Sequence, residues 1–196
     1  RRGLGIELNQ KYADLSLKRI EVEVPDSMPF KDKQEVICGD STKILKSLQD
    51  NTIDFVITSP PYWNILDQKD HKAKQREIES LDTKYSDNDN DLANIDDYQE
   101  FLNKLCAVFE DCSRILKKDK YLAIVVSDFR KSEKYYMFHS DLSNILEQKS
   151  PFVLKGIKIL YQRHKSIFPY GYPYSFVPNV HHQYVLIFKN QKNGKK

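Results

Sequence analysis

Three side chains able to do chemistry stand at the ends of successive short apolar runs in the first third of the chain. They are Glu7 after Gly3-Leu4-Gly5-Ile6, Asp40 after Val36-Ile37-Cys38-Gly39, and Ser59 after the run from Ile53 to Thr58. Each can accept hydrogen bonds; taken singly, either acid is also what caps a helix. Ser59 opens Ser59-Pro60-Pro61-Tyr62-Trp63, and two prolines in succession cannot donate to a sheet ladder, so a loop must begin there. On residue types alone, this is either a proline-rich turn with a core aromatic or a stiff loop presenting an acceptor beside stacking rings. A second constellation mixes cations, rings and rigid turns: Tyr161-Gln162-Arg163-His164-Lys165, then Phe168-Pro169-Tyr170-Gly171-Tyr172-Pro173-Tyr174. Arg163 and Lys165 suit phosphates, and Tyr170 and Tyr172 suit base faces, although a hairpin loop stapled by its own aromatics has the same composition. Lys69 to Arg76 is a lesser basic candidate, equally readable as a solvated loop. His181-His182 lacks a third ligand at suitable spacing, and Cys38, Cys106 and Cys112 form no ligand pattern, so no metal is expected.

The elements that must position these groups follow from periodicity. Gly3 to Leu8 predicts a strand, and the residues after Asn9, with Tyr12, Leu15 and Ile20 on one side, predict a helix. Val36 to Asp40 and Ser41 to Leu48 repeat that unit, and Ile53 to Thr58 is a third strand. The polar stretch from Asn64 to Asn94 reads as a functional, mobile loop. Ile95 to Leu116 keeps a 3.6-residue period, with Asn94 as its expected cap. A strand from Tyr121 to Ser127, a helix from Phe138 to Gln148, and two strands from Phe152 to Tyr161 and Gln183 to Lys189 complete the reading, the last two expected to pair antiparallel. Strands alternating with helices predict an α/β domain with a mainly parallel sheet, in which ligands bind beyond the carboxyl ends of the strands.

Bulk properties bound the function. The 196 residues suit a single domain of 1-196, and 40% hydrophobic with 30% charged residues describes a globular protein. Apolar runs are too short to span a bilayer and no secretory leader is visible, which excludes membrane classes and predicts a cytoplasmic protein with its thiols reduced. A net charge of +3 permits a nucleic-acid partner without demanding one.

Thr58 to Trp63 resembles the catalytic loop of the S-adenosylmethionine-dependent DNA amino-methyltransferases, whose pattern is Ser, Asp or Asn, then Pro-Pro, then an aromatic. The resemblance implies a Rossmann-like class I methyltransferase fold and methyl transfer to the exocyclic amine of a base. The Ser59 side chain and the Pro60 carbonyl would take the two amine hydrogens, with Pro61 stiffening the loop. Tyr62 would stack on a base rotated out of the duplex and Trp63 would shape the pocket wall. Gly5 to Asn9 resembles the strand after the family's glycine-rich cofactor loop, making Glu7 the ribose acid with Leu8 and Asn9 beside it. Gly39-Asp40-Ser41 resembles the adenine motif, and Thr58 borders the same cofactor. Tyr98 to Ser127 and Gln183 to Lys189 resemble later family segments, with the similarity weakest between Lys131 and Ser150.

Two departures qualify this. The family's Lys-Pro-Gly-Gly turn is here Lys118-Asp119-Lys120, and the Phe-x-Gly-x-Gly cofactor loop is absent, so it is expected upstream of Arg1. The resemblance implies S-adenosylmethionine as cofactor, double-stranded DNA as partner, and a restriction-modification setting with a companion endonuclease. The serine form leans towards N4-cytosine over N6-adenine. An RNA methyltransferase and a catalytically silent, methyltransferase-like DNA-binding subunit are the rivals.

Overall fold

A computed structural model describes residues 1–64, 91–131, 133–165, 169–170 and 177–192. The chain divides into two compact units, Arg1–Gln49 and Asp50–Lys196.

The first unit is a strand-helix-strand-helix repeat: β1 (Gly3–Glu7), α1 (Gln10–Glu23), β2 (Gln34–Cys38) and α2 (Ser41–Ser47), with β1 parallel to β2. Asn9 starts α1 by accepting from the Lys11 backbone N–H at 3.0 Å. The buried side chain of α1 is Ala13, whereas Tyr12 and Leu15 are exposed, so the apolar face expected from spacing is not the one this unit packs. Cys38 is exposed near the sheet end.

The second unit is built on a four-stranded sheet in the order β3-β4-β10-β7. Its strands are β3 (Ile53–Thr58), β4 (Leu116–Val126), β7 (Phe152–Tyr161) and β10 (His182–Asn190). β3 runs parallel to β4, and β10 lies antiparallel to both β4 and β7, so the expected C-terminal hairpin is present and its last strand occupies the middle of the sheet. Two helices, α3 (Tyr98–Ile115) and α4 (Phe138–Lys149), cover one face. Phe101, Leu105 and Phe109 of α3 and Leu142 and Leu146 of α4 are buried, as are Leu122, Ile124 and Val126 of β4 and Leu186 and Phe188 of β10. These sets follow the helical and strand periods respectively. Two short hairpins complete the unit: β5 (Phe129–Lys131) with β6 (Lys134–Tyr136), and β8 (Pro169–Tyr170) with β9 (Val177–Pro178).

Helix α3 begins at Tyr98, capped by Asp97, which accepts from the Glu100 N–H at 2.7 Å, and not at Asn94 as the sequence suggested. Residues Leu92–Asn94 are engaged in their own 3-10 turn under an Asp91 cap, so the backbone cannot enter α3 earlier. The expected loop of 64–94 falls largely outside the described residues. Among the described residues, no helix is long and apolar enough to cross a membrane.

Candidate active site

The first unit presents its acids at the carboxyl ends of adjoining parallel strands. Glu7 ends β1 and is half-buried; its Oε1 accepts from the Asn9 N–H at 2.9 Å, and no hydrogen bond engages Oε2 among the described residues. The Glu7 carbonyl accepts from the Gly39 N–H at 2.8 Å, tying the two strand ends together. Gly39 holds φ at +155°, and a Cβ there would approach Ile44 Cδ1 to 3.0 Å, so glycine is required for this turn. Asp40 follows it and caps α2, its Oδ1 accepting from the Thr42 backbone N–H at 2.8 Å and the Thr42 hydroxyl at 2.7 Å. Its cap role is thus realised, with Ser41 as the first helical residue. Leu8 is half-buried, and its carbonyl accepts from Cys38 Sγ at 3.8 Å.

In the second unit, β3 delivers Thr58 in register with Ile124 of β4 and then stops. Ser59 is exposed, Pro60 buried, and Pro61 and Tyr62 half-buried. The loop is fastened at every residue beyond the prolines. The Tyr62 hydroxyl accepts from Gln183 Nε2 at 2.8 Å, and its ring meets Phe138 edge-on at 6.3 Å. Trp63 is only 5% exposed, with φ of 50°, and its indole N–H donates to the Ile95 carbonyl at 2.7 Å. Its ring packs beside Tyr98 at 5.2 Å and Tyr136 at 5.4 Å, with the Lys131 ammonium 3.6 Å from its centroid. Buried Asn64 accepts from Lys131 and donates to Asp96 at 3.3 Å. A buried tryptophan in the left-handed region is a strained arrangement, maintained here by these contacts.

A second, part-buried network centres on Asp128, which is buried. Asp128 accepts from the His139 backbone N–H at 3.1 Å and from the Tyr135 hydroxyl at 3.4 Å, and its Oδ1 lies 2.7 Å from His139 Nδ1. The His139 ring stacks on Tyr184 at 3.8 Å. Asp128 thereby starts α4, whose first residue, Phe138, supports Tyr62. Burial pushes the Tyr135 hydroxyl up to about 12, with the charge of Asp128 adding to the effect.

This chain matches the family model described as DNA methylase over residues 53–196. It belongs to the N6/N4 DNA methylase family. Members of that family depend on S-adenosylmethionine. Over 109 residues the chain is 30% identical to the type II methyltransferase M.HpaI of Haemophilus parainfluenzae, a match covering 56% of this chain and 28% of that enzyme. Its fold is similar to TTHA0409 of Thermus thermophilus in complex with S-adenosyl-L-methionine, at TM-score 0.53 and 23% identity over 81% of this chain and 56% of that one. It is also similar to the cytosine-N4-specific PvuII DNA methyltransferase, at TM-score 0.54 and 16% identity over 79% and 48% of the two chains. These structures establish a Rossmann-like class I methyltransferase fold; the chain spans about half the length of each.

Within the DNA methylase match lie Ser59 to Trp63 and two contacts that sequence reasoning missed, Gln183 on Tyr62 and Lys131 on Asn64. Neither has a local signal, since 121 and 67 residues separate the partners. Arg163 and Lys165 are exposed after β7; Tyr170 is placed by its backbone in β8, while Tyr172 and the stretch from Lys69 to Arg76 lie outside the described residues. Among the described residues, no three His, Cys, Asp or Glu side chains gather as a metal site.

Proposed function

We propose that this protein transfers a methyl group from S-adenosylmethionine to the exocyclic amine of a base in double-stranded DNA, with cytosine N4 as the favoured target. The observation that carries this reading is the exposed Ser59 at the carboxyl end of β3, followed by a buried Pro60 and a Tyr62 pinned from two sides. An exocyclic amine is a poor nucleophile because its lone pair is delocalised into the ring. Ser59 Oγ and the Pro60 carbonyl supply two acceptors for its hydrogens, favouring a tetrahedral nitrogen whose lone pair is free to attack. A rigid loop holds those acceptors in place before reaction, and Tyr62 offers a ring face to a base taken out of the stack. Trp63, buried in its aromatic cluster, braces the pocket wall.

The cofactor supplies an electrophilic methyl group on a sulfonium sulfur. Glu7 fits its ribose, because Oε2 remains available to hydroxyl donors while Oε1 holds the turn at Asn9. Asp40, Ser41, Leu8, Asn9 and Thr58 are the further cofactor-side residues, with Asp40 contributing chiefly by fixing the start of α2.

Methyl transfer to unmethylated DNA by the full-length gene product, read by nucleoside mass spectrometry, tests both parts. Ser59→Ala is expected to lose about 100- to 1000-fold in kcat while still binding cofactor. Near-normal turnover would sink the mechanism, and N6-methyladenine as the product would overturn the cytosine preference alone.

A further inference from the structure

Directly beyond the carboxyl end of β4, the β5-β6 hairpin carries Arg130, Lys131 and Lys134 against one carboxylate, Glu133. Its inner side is aromatic: Phe129 and Tyr136 stack at 5.3 Å, and both adjoin Trp63 of the catalytic loop. Lys131 and Lys134 share that side, while Arg130 lies with Tyr135 on the other. The strand register sets Arg130 opposite Tyr135 and Lys131 directly opposite Lys134. Like charges at directly opposed hairpin positions destabilise the pair. None of the ion pairs formed among the described residues includes these cations. Instead each is held by a ring: Arg130 lies 5.4 Å from the Tyr135 centroid, Lys131 3.6 Å from Trp63 and Lys134 4.7 Å from Tyr136. A ring face orients a cation without neutralising it. Lys131 and Lys134 line one open pocket with Trp63, Glu133 and Tyr136.

We propose that this hairpin is a phosphate clamp, in which Arg130, Lys131 and Lys134 grip the DNA backbone beside the catalytic loop. The inference rests on the DNA substrate proposed above. Phosphates suit the site because they relieve the repulsion between the opposed lysines and accept from ring-oriented donors. Lys131 also bonds Asn64. The gripped backbone is therefore coupled to the end of the loop that presents Ser59 and Tyr62, which would hold the duplex where a base is extruded.

The test is binding of the full-length gene product to a fluorescent 30-base-pair duplex of random sequence across a range of salt concentrations. Arg130→Ala with Lys134→Ala leaves the Lys131 contacts intact. That double variant is expected to bind at least tenfold more weakly at low salt and to flatten the log-log salt slope by about 0.9 for each phosphate no longer gripped. Lys18→Ala with Lys104→Ala, which removes two exposed cations outside the hairpin, serves as the control for net charge and is expected to keep the wild-type slope. An unchanged slope in a double variant that melts like wild type would overturn the clamp and leave the active-site reading standing. Failure of the wild type itself to bind duplex DNA would overturn both.

Discussion

The phenol of Tyr62 accepts a hydrogen bond from Gln183 and its ring meets the edge of Phe138, so little rotational freedom remains to it. In the proposed function, a ring that receives an extruded base gains from such fixing, because ordering it at the moment of capture would cost side-chain entropy. Gln183 is thus expected to act through Tyr62 as a positioning residue. Gln183→Leu should reduce methyl transfer several-fold in the wild-type background and hardly at all in Tyr62→Phe, which already lacks the acceptor. A double-mutant cycle on kcat/KM is expected to return a coupling of about 0.5 to 1.5 kcal/mol, in the range of one hydrogen bond. Additive effects would show that Gln183 serves the strand and not the ring. Asp40 shows the opposite economy at this scale: one oxygen receives both Thr42 donors, so a residue singled out for ligand contact also builds the element that carries it.

Among the elements, β4 contains the clearest local conflict. Asp119 adopts φ of 62°, and its carboxylate pairs with Lys189 at 2.9 Å. Aspartate tolerates this conformation better than other residues with a Cβ, and β-branched residues tolerate it least. In urea denaturation, Asp119→Val is expected to lose about 1 to 2 kcal/mol. Asp119→Gly should denature close to wild type, since an exposed ion pair contributes little. Equal stability of the two variants would contradict the role of backbone conformation there. Elements with strong periods were legible in advance. Ile53 to Thr58 and Phe152 to Tyr161 match their strands to the residue, because apolar β-formers end against Ser59-Pro60-Pro61 in one case and start after Pro151 in the other. The sequence misplaces the start of α3 because Asn94 and Asp97 are both good caps, and the Asp91-capped turn at Leu92–Asn94 decides between them. The β5-β6 hairpin was invisible: three-residue strands of charged and aromatic residues carry no period. Of the candidate site, residue identities were readable and their braces were not, because a brace is a contact between distant segments.

For the molecule as a whole, burial separates three cysteines into two kinds. Cys106 and Cys112 lie in the core of the second unit, where burial pushes their thiols up to about 11 and about 12, while Cys38 is exposed. The fold favours the neutral thiol, so this contribution to stability is intact below the ordinary thiol pKa and is lost as pH rises towards 11 and 12. The melting temperature is therefore expected to fall across that alkaline range, and less steeply in Cys112→Ala measured relative to its own neutral-pH value. Thiol labelling mapped by mass spectrometry should mark Cys38 in the native protein and the other two only after denaturation; rapid native labelling of Cys112 would contradict the buried assignment. Trp63 and Asn64 are hydrogen-bonded to Ile95 and Asp96, which ties residues 63–64 to 95–96 as a closed neck. Whatever length of polypeptide is strung between those points, the neck fixes its two ends, and each doubling of that length costs only about 0.6 kcal/mol of closure entropy. Such a neck makes the intervening segment exchangeable in principle: longer, shorter or unrelated sequence can be strung there while the tie between its ends is kept.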